Sequence, residues 1–141
     1  MSAAPGVWYG GGVATAITEA RKPRVTRDVE VSAVPDLLVH PPRATVAYVD
    51  RDAVNLVPAR ARCDAGTYLF GVLPAAAPDL QQREVVLIID DGPYWFELRG
   101  VSVRGIAGRV EPPSDGGADL TWYAITPRRV LAWDYGTIRE V

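Results

Sequence analysis

The sequence contains very few of the residues that build disulfides, metal centres and nucleophilic sites. Its 141 residues include one cysteine, Cys63, and one histidine, His40. One cysteine cannot form an internal disulfide, and one histidine cannot provide a histidine metal cluster, so no metal is expected. Cys63 falls on the apolar side of a predicted strand, and we interpret it as a packing residue rather than the nucleophile of a Cys–His dyad. We expect His40, which precedes two prolines, to be a capping or surface residue.

Several kinds of segment and motif are also absent. No apolar run approaches the ~20 residues that cross a membrane, and the N-terminus lacks the pattern of a signal peptide, so we expect a cytoplasmic protein. The 15 basic and 17 acidic residues give a net charge of −2, which argues against a general nucleic-acid binder. The phosphate-loop, dinucleotide, zinc-protease, CxxC and GxSxG motifs do not occur.

The length and the turn residues indicate one domain built mainly from short strands. The 13 glycines and 12 prolines are spread along the chain. We expect an N-terminal arm over residues 1–34 and a single domain over 35–141, with one helical turn from Pro35 to His40. Apolar stretches between turn residues predict strands over 44–49, 54–63, 67–73, 84–90, 93–111, 121–126 and 129–135. This pattern predicts a six- to seven-stranded antiparallel β-barrel or sandwich with one or two short helices.

The long segment that begins at Pro93 changes its apolar parity near two glycines. Tyr94, Phe96 and Leu98 share one parity, and after Gly100 the apolar positions Val101 and Val103 have the opposite one. After Gly105 the apolar positions shift again, to Ile106 and Val110. A bulge or bend at a glycine produces such a shift, and it lets one strand turn a barrel corner. We favour a bend in one continuous strand over a break into two strands at Gly100 or Gly105.

The second predicted strand carries the strongest candidate site. Leu56, Pro58, Arg60 and Arg62 alternate onto one face, so the two guanidinium groups project side by side. Such a pair suits a phosphate or a carboxylate through bidentate, charge-assisted hydrogen bonds. The alternative is a solvated outer face whose arginines pair with neighbouring acids. Pro58 restricts the strand to an edge or irregular position, where a ligand could approach the backbone.

Aromatic residues cluster in the last third of the chain. Planar side chains there could line a site for a flat ring system, but we favour core and subunit-interface packing for most of them. The cluster consists of Trp95, Trp122, Tyr123, Trp133 and Tyr135.

Four segments, taken in order, resemble a known superfamily. They are 43–49 (RATVAYV), 55–58 (NLVP), 98–107 (LRGVSVRGIA) and 122–134, which begins with WYAI and ends with VLAWD. Their order and spacing resemble the FMN-binding split barrels of the pyridoxamine phosphate oxidase-like superfamily, over roughly residues 35–135.

The resemblance implies a flavoprotein fold and a set of site residues. Such proteins are usually homodimers that bind FMN or the deazaflavin cofactor in clefts between subunits. Some bind haem instead, but His40 is the only histidine that could serve as an axial ligand. The ring would lie against the strand around the proline, and basic residues would hold the phosphate. The cofactor-binding residues it implies here are Leu56, Val57, Pro58, Arg60, Arg62, Tyr68 and Arg83, to which we add Trp133 from the aromatic cluster.

Two functions therefore follow as expectations. The first is a small FMN- or deazaflavin-dependent oxidoreductase in which hydride passes to or from the cofactor ring, with a small-molecule substrate and no catalytic side chain identified. The second is a split-barrel binding or scaffold protein that has lost its cofactor. The run Ala75 to Ala77 favours the second function, because many members of the superfamily hold the phosphate there with a serine or threonine and a lysine.

Overall fold

The computed structural model describes residues 28–64, 66–92, 94 and 97–135. Within them are a five-residue helix, a single 3₁₀ turn (Val31–Ala33) and seven strands. The helix is α1 (Pro35–Val39), which starts at a proline as the N-terminal preference of that residue predicts. The strands are β1 (Asp28–Val29), β2 (Ala44–Asp50), β3 (Ala53–Asp64), β4 (Thr67–Val72), β5 (Glu84–Asp91), β6 (Arg99–Val110) and β7 (Thr121–Asp134).

Six of the strands close into an antiparallel barrel. Their order is β7-β4-β3-β2-β5-β6, and β6 returns to pair with β7. The short β1 adds to β7 through the pairs Asp28–Trp133 and Val29–Ala132. The mainly β, six- to seven-stranded antiparallel barrel that the sequence predicts is therefore confirmed, with one α-helix and one 3₁₀ turn in the described residues.

The barrel interior is filled by alternating apolar side chains. In β5 the odd-numbered residues Val85, Leu87 and Ile89 are buried, while Val86 and Ile88 on the outer face are half-buried. Because successive side chains of a strand point to opposite faces, this alternation fixes which residues face outward elsewhere in the barrel. Residues from six strands and α1 meet in one core that includes Val46, Phe70, Val101, Val103, Ala107 and Tyr123.

Strand β6 runs unbroken through both glycines. The predicted bend in one continuous strand is confirmed, because β6 pairs with β7 from Arg99 to Val110 and the register shifts between Arg104 and Gly105. The predicted parity change to Ile106 and Val110 is wrong. Val101, Val103 and Ala107 all face the core, because the extra residue of the bulge lies on β7, where Arg128 falls between the partners of Gly105 and Arg104.

Two predicted strand boundaries are also wrong. The strand expected from Pro93 begins at Arg99, since Glu97 forms a turn whose N–H donates to the carbonyl of Tyr94. The two strands expected over 121–126 and 129–135 form the single strand β7. Pro127 does not break it, because it stands beside the register shift on β6 and residues 126–131 have no second partner strand in the described chain.

The described part of the predicted N-terminal arm packs on the barrel. Val34 is fully buried, and Val29 and Val31 contact the core. Residues 1–27 of that arm lie outside the described residues. No helix in the part of the chain that the structure describes is long and apolar enough to cross a membrane.

Candidate functional site

A cleft on the described surface lies outside the barrel, beside the second half of β3. Its volume is about 560 Å³, within the range of roughly 300–1,000 Å³ that is typical of small-molecule sites. Four elements form its walls: the end of α1, β3, the loop over residues 111–120 between β6 and β7, and the start of β7. The lining residues are Val39, His40, Pro41, Arg60, Ala61, Arg62, Cys63, Asp64, Pro113, Asp115, Gly116 and Trp122.

Both predicted arginines line this cleft. Antiparallel pairing sets Arg60 opposite Gly71 of β4 and Arg62 opposite Leu69. Residues two apart on a strand share a face, so the two guanidinium groups lie on the same outer surface. The sequence pattern therefore located two side chains of the cleft, although no observation of this structure shows what they bind.

Arg62 already has an acidic neighbour. Its Nη1 forms an exposed ion pair with Asp115 of the 111–120 loop. The hydrogen bond from Arg62 lowers the pKa of the Asp115 carboxyl, and the charge of Arg60 lowers it further. Arg60 itself forms no salt bridge within the described residues, so of the two arginines it is the one whose charge is not paired with a carboxylate there.

Trp122 forms the inner wall of the cleft and anchors the loop. It lies opposite Gly71 on β7, and a Cβ added to Gly71 would fall 2.7 Å from Trp122 Cε2. The indole Nε1 donates a 2.7 Å hydrogen bond to the carbonyl of Gly117. The ring is therefore held between two glycines and is only 2% exposed. Sequence reasoning placed Trp122 in an aromatic cluster but did not identify this contact with the loop.

The first half of β3 is apolar on the same outer surface. Val54 and Leu56 are 72% and 64% exposed, and Pro58 is also exposed. Val57 is only 8% exposed and belongs to the core, so it could meet an outside ligand only through its backbone. In the described chain, residues 53–59 pair with β2 but not with β4, which begins its pairing at Arg60.

The three other predicted site residues do not line the cleft. Arg83 makes a 3.4 Å ion pair with Asp50, beside the start of β3. Tyr68 packs partly against the core opposite Cys63, and burial raises the pKa of its hydroxyl. Trp133 packs against Gly100, its cross-strand partner in the pairing of β6 with β7. Nothing in the structure shows whether these residues contact a cofactor, and that prediction stays open.

The histidine and the cysteine both reach the cleft. His40 follows α1 and lies on the wall that the helix end provides. Cys63 sits at the end of β3, and burial raises the pKa of its thiol to about 11. A thiol with that pKa carries almost no thiolate near neutrality, which agrees with the interpretation of Cys63 as a packing residue rather than a nucleophile.

The cleft combines cationic and anionic side chains. Arg60, Arg62 and His40 line it together with the carboxylates of Asp64 and Asp115, next to an exposed apolar strip on β3. Asp115 is paired with Arg62, which leaves Arg60 as the arginine of the cleft without a salt bridge in the described residues. The residues present therefore fit a molecule with a planar apolar part and a phosphorylated tail. Within the described ranges, no group of three or more His, Cys, Asp or Glu residues could hold a metal ion.

Comparisons with known proteins support the fold. No protein-family model and no curated protein matches the chain. Solved structures do match, among them the FAD-binding protein from Mycobacterium smegmatis at 18% identity and a TM-score of 0.57, covering 74% of this chain and 96% of that one. A FAD-binding protein from Mesorhizobium loti matches at 12% identity and a TM-score of 0.54, covering 77% of this chain and 97% of that one.

A third structure shares the fold. It is a proposed pyridoxamine 5′-phosphate oxidase from Corynebacterium glutamicum, with 14% identity and a TM-score of 0.56, covering 74% of this chain and 94% of that one. These identities are low, so the similarity is one of fold. The chain has the same barrel fold as these three solved proteins, which is the fold that the sequence resemblance implied.

Proposed function

We propose that this protein binds a flavin and acts as a small oxidoreductase on a small-molecule substrate. The observation that carries the proposal is the outer face of β3, which is apolar at Leu56 and Pro58 and cationic at Arg60 and Arg62, beside a cleft of about 560 Å³. A flavin nucleotide has the same division into a planar ring and an anionic tail. The FAD-binding proteins that share the fold support a flavin over other ligands.

The chain's own residues would bind and orient this cofactor. Arg60 and Arg62 would hold the phosphate through their guanidinium forks. The ring would lie on Leu56 and Pro58, since Pro58 is two residues, or roughly 7 Å, from Arg60 along the strand. Residues 53–59 pair with β2 on one side only, and the backbone groups on their other side would face the polar edge of the ring. When bound, the flavin would supply the redox chemistry by accepting or donating a hydride at its ring.

We further propose that the protein is a homodimer. Val49 and Val54 are cross-strand neighbours that are 60% and 72% exposed, and Leu56 continues the same apolar surface. A contiguous exposed apolar patch on a small protein marks an interaction site. A second copy seated on this patch would close the cofactor groove from the outside, in the manner that the superfamily resemblance implies.

One specific observation favours the second candidate function, a split barrel that has lost its cofactor. The loop over residues 73–83 offers Ala75, Ala76 and Ala77, and Arg83 at its end is paired with Asp50. A phosphate near this loop would find no free cation there. The two functions therefore differ in a measurable property, which is whether any flavin binds.

The deciding experiment is a cofactor titration of the full chain. The visible spectrum of the purified protein would be recorded, and FMN, FAD and the deazaflavin cofactor would each be titrated while fluorescence is followed. The Arg60→Ala, Arg62→Ala double variant removes the proposed phosphate site. The Arg128→Ala, Arg129→Ala double variant is the matched control, because it removes the same charge from exposed residues that do not line the cleft.

The proposal predicts binding of at least one flavin that the control variant keeps. Loss of two charge-assisted contacts at about 1.5–3 kcal/mol each predicts that the Arg60, Arg62 double variant weakens binding by at least a hundred-fold. Failure of all three cofactors to bind would favour the cofactor-free scaffold. Binding that the Arg60, Arg62 variant leaves unchanged would overturn the phosphate assignment.

A further inference from the structure

The loop over residues 111–120 is fastened to the barrel at two points of very different character. The first point is Gly117, whose carbonyl accepts a hydrogen bond from the buried Trp122. The second is Asp115, two residues earlier, whose exposed carboxylate pairs with Arg62 across the cleft. The two remaining backbone hydrogen bonds of the loop, Gly116 to Pro113 and Leu120 to Gly117, are internal to it. The tip of the loop is therefore held to β3 by one exposed ion pair.

Asp115 occupies the place where an anionic ligand would be most stabilised. Its carboxylate hydrogen-bonds to Arg62 and lies within the electrostatic influence of Arg60. A phosphate at the same point would meet the same two cations, with more oxygens and more charge than a carboxylate. Because exposed ion pairs are worth roughly 0.2–1 kcal/mol, an anion of higher charge can replace Asp115 at small cost.

We propose that Asp115 is an internal competitor for the anion site. In the ligand-free protein it neutralises Arg62, and a bound phosphate or pyrophosphate group displaces it and releases the tip of the loop. This inference depends on the proposed function of the cleft and adds a specificity rule to it. Ligands whose anionic group outcompetes a carboxylate bind, whereas neutral or weakly charged molecules of the same shape leave the Arg62–Asp115 pair intact.

Gly116 and Gly117 fit this role. Both have positive φ values, +136° and +83°, in the region that favours glycine. Gly116 lies between Asp115 and the anchored Gly117, and a Cβ placed on it would meet nothing within 4 Å. Asp115 can therefore leave Arg62 through rotation at Gly116, while Gly117 and Trp122 keep their positions.

The test uses inorganic pyrophosphate as the probe and the full-length chain. Isothermal titration at neutral pH and low ionic strength would compare the wild type with Asp115→Asn. Removal of the competing carboxylate is expected to raise the association constant about two- to five-fold, the range that an exposed ion pair corresponds to. Asp119→Asn is the matched control, because it removes the same charge from the same loop without breaking an ion pair; it is expected to change the association constant much less.

A double-variant comparison separates competition from a general charge effect. In an Arg62→Ala background, Asp115 has lost its partner, so the gain from Asp115→Asn should disappear. An unchanged affinity in Asp115→Asn would overturn the inference, since it would mean that Asp115 does not compete with the ligand. A weaker affinity would also overturn it, since it would mean that Asp115 positions Arg62 for the ligand. Equal gains in Asp115→Asn and Asp119→Asn would also overturn it.

The same titrations distinguish this inference from the proposed function. If pyrophosphate binding depends on Arg60 and Arg62 but not on Asp115, the anion site stands and only the competitor role fails. If pyrophosphate does not bind, or binds equally well without both arginines, the anion site itself fails and the inference fails with it.

Discussion

The indole of Trp122 lies directly against the backbone of Gly71, its cross-strand neighbour on β4. Gly71 also pairs with Arg60 of β3, so it lies between Arg60 and Trp122 in one cross-strand row. Because it has no side chain, the ring can lie flat on the sheet and form a wall of the cleft. Gly71 is therefore required by the shape of its neighbour rather than by its own backbone conformation.

Gly71→Ala is expected to destabilise the protein by about 1–3 kcal/mol, the usual cost of forcing an extra methyl group into a packed site. The new Cβ would lie 2.7 Å from Trp122 Cε2, so the ring would have to move toward the cleft. Urea unfolding measures the loss. Gly108→Ala is the control, because a Cβ at Gly108 meets nothing within 4 Å, and it should be near neutral. Equal effects of the two variants would contradict this account.

Tyr123→Phe is expected to cost about 1–3 kcal/mol of unfolding free energy by leaving a buried donor unsatisfied. The hydroxyl of Tyr123 accepts a 3.1 Å hydrogen bond from the N–H of Leu80, whose side chain is fully buried. Thermal and urea unfolding would measure the change. Asp79→Asn should cost much less, since the amide Oδ1 can still accept from the hydroxyl of Tyr123 and from the N–H of Gln81. A neutral Tyr123→Phe would show that water satisfies Leu80.

Cys63 is expected to react slowly with iodoacetamide in the folded protein. Burial raises the pKa of its thiol from 9.0 to about 11, so the thiolate fraction at neutral pH is far smaller than in the unfolded chain. Alkylation followed by mass spectrometry, with and without urea, measures the ratio of the two rates. Comparable rates in both conditions would show that the thiol is not protected.

The raised pKa of Cys63 also predicts how stability changes in alkali. Below pH 9 the thiol is protonated in both states and has no effect on the pH dependence. Between about pH 9 and 11 the unfolded state releases its proton first, so stability falls as the pH rises. Cys63→Ala should show a shallower fall over this interval than the wild type. Tyr68, whose pKa is also raised, remains in both proteins and serves as an internal reference.

Leu56→Glu is expected to convert the proposed homodimer into a monomer. The substitution places a charge in the centre of the exposed apolar patch formed with Val49 and Val54. Sedimentation velocity at several protein concentrations measures the change. Val110→Asp is the control, since Val110 is also exposed but lies at the far end of β6. A wild-type monomer at all concentrations would refute the dimer, as would a Leu56→Glu dimer.

The sequence predicted the parts of the fold that depend on local alternation. Strands β2 to β5 begin and end within one residue of their expected positions, because each is an apolar-rich stretch bounded by turn residues. Strand β7 was predicted as two strands. Its continuity depends on the pairing with β6 that runs past the register shift at Arg128, and no local pattern carries that information.

The candidate site shows the same division between local and distant information. The side-by-side placement of Arg60 and Arg62 follows from a spacing of two on one strand, and both line the cleft. The partnership of Arg62 with Asp115 spans 53 positions in the chain, and no periodicity predicts it. The only hint was an acidic residue followed by two glycines, a loop pattern that does not specify its partner.

Strand β7 has a consequence for how the molecule is made. It is the last of the described strands, yet it pairs with β4, β6 and β1, so the barrel cannot close until it has formed. A nascent chain that has released only the first six strands presents two bare edges, on β4 and on β6, together with an uncapped interior. Synthesis must therefore run almost to residue 134 before the barrel can shut, and during that interval the growing polypeptide is most open to aggregation and to capture by chaperones.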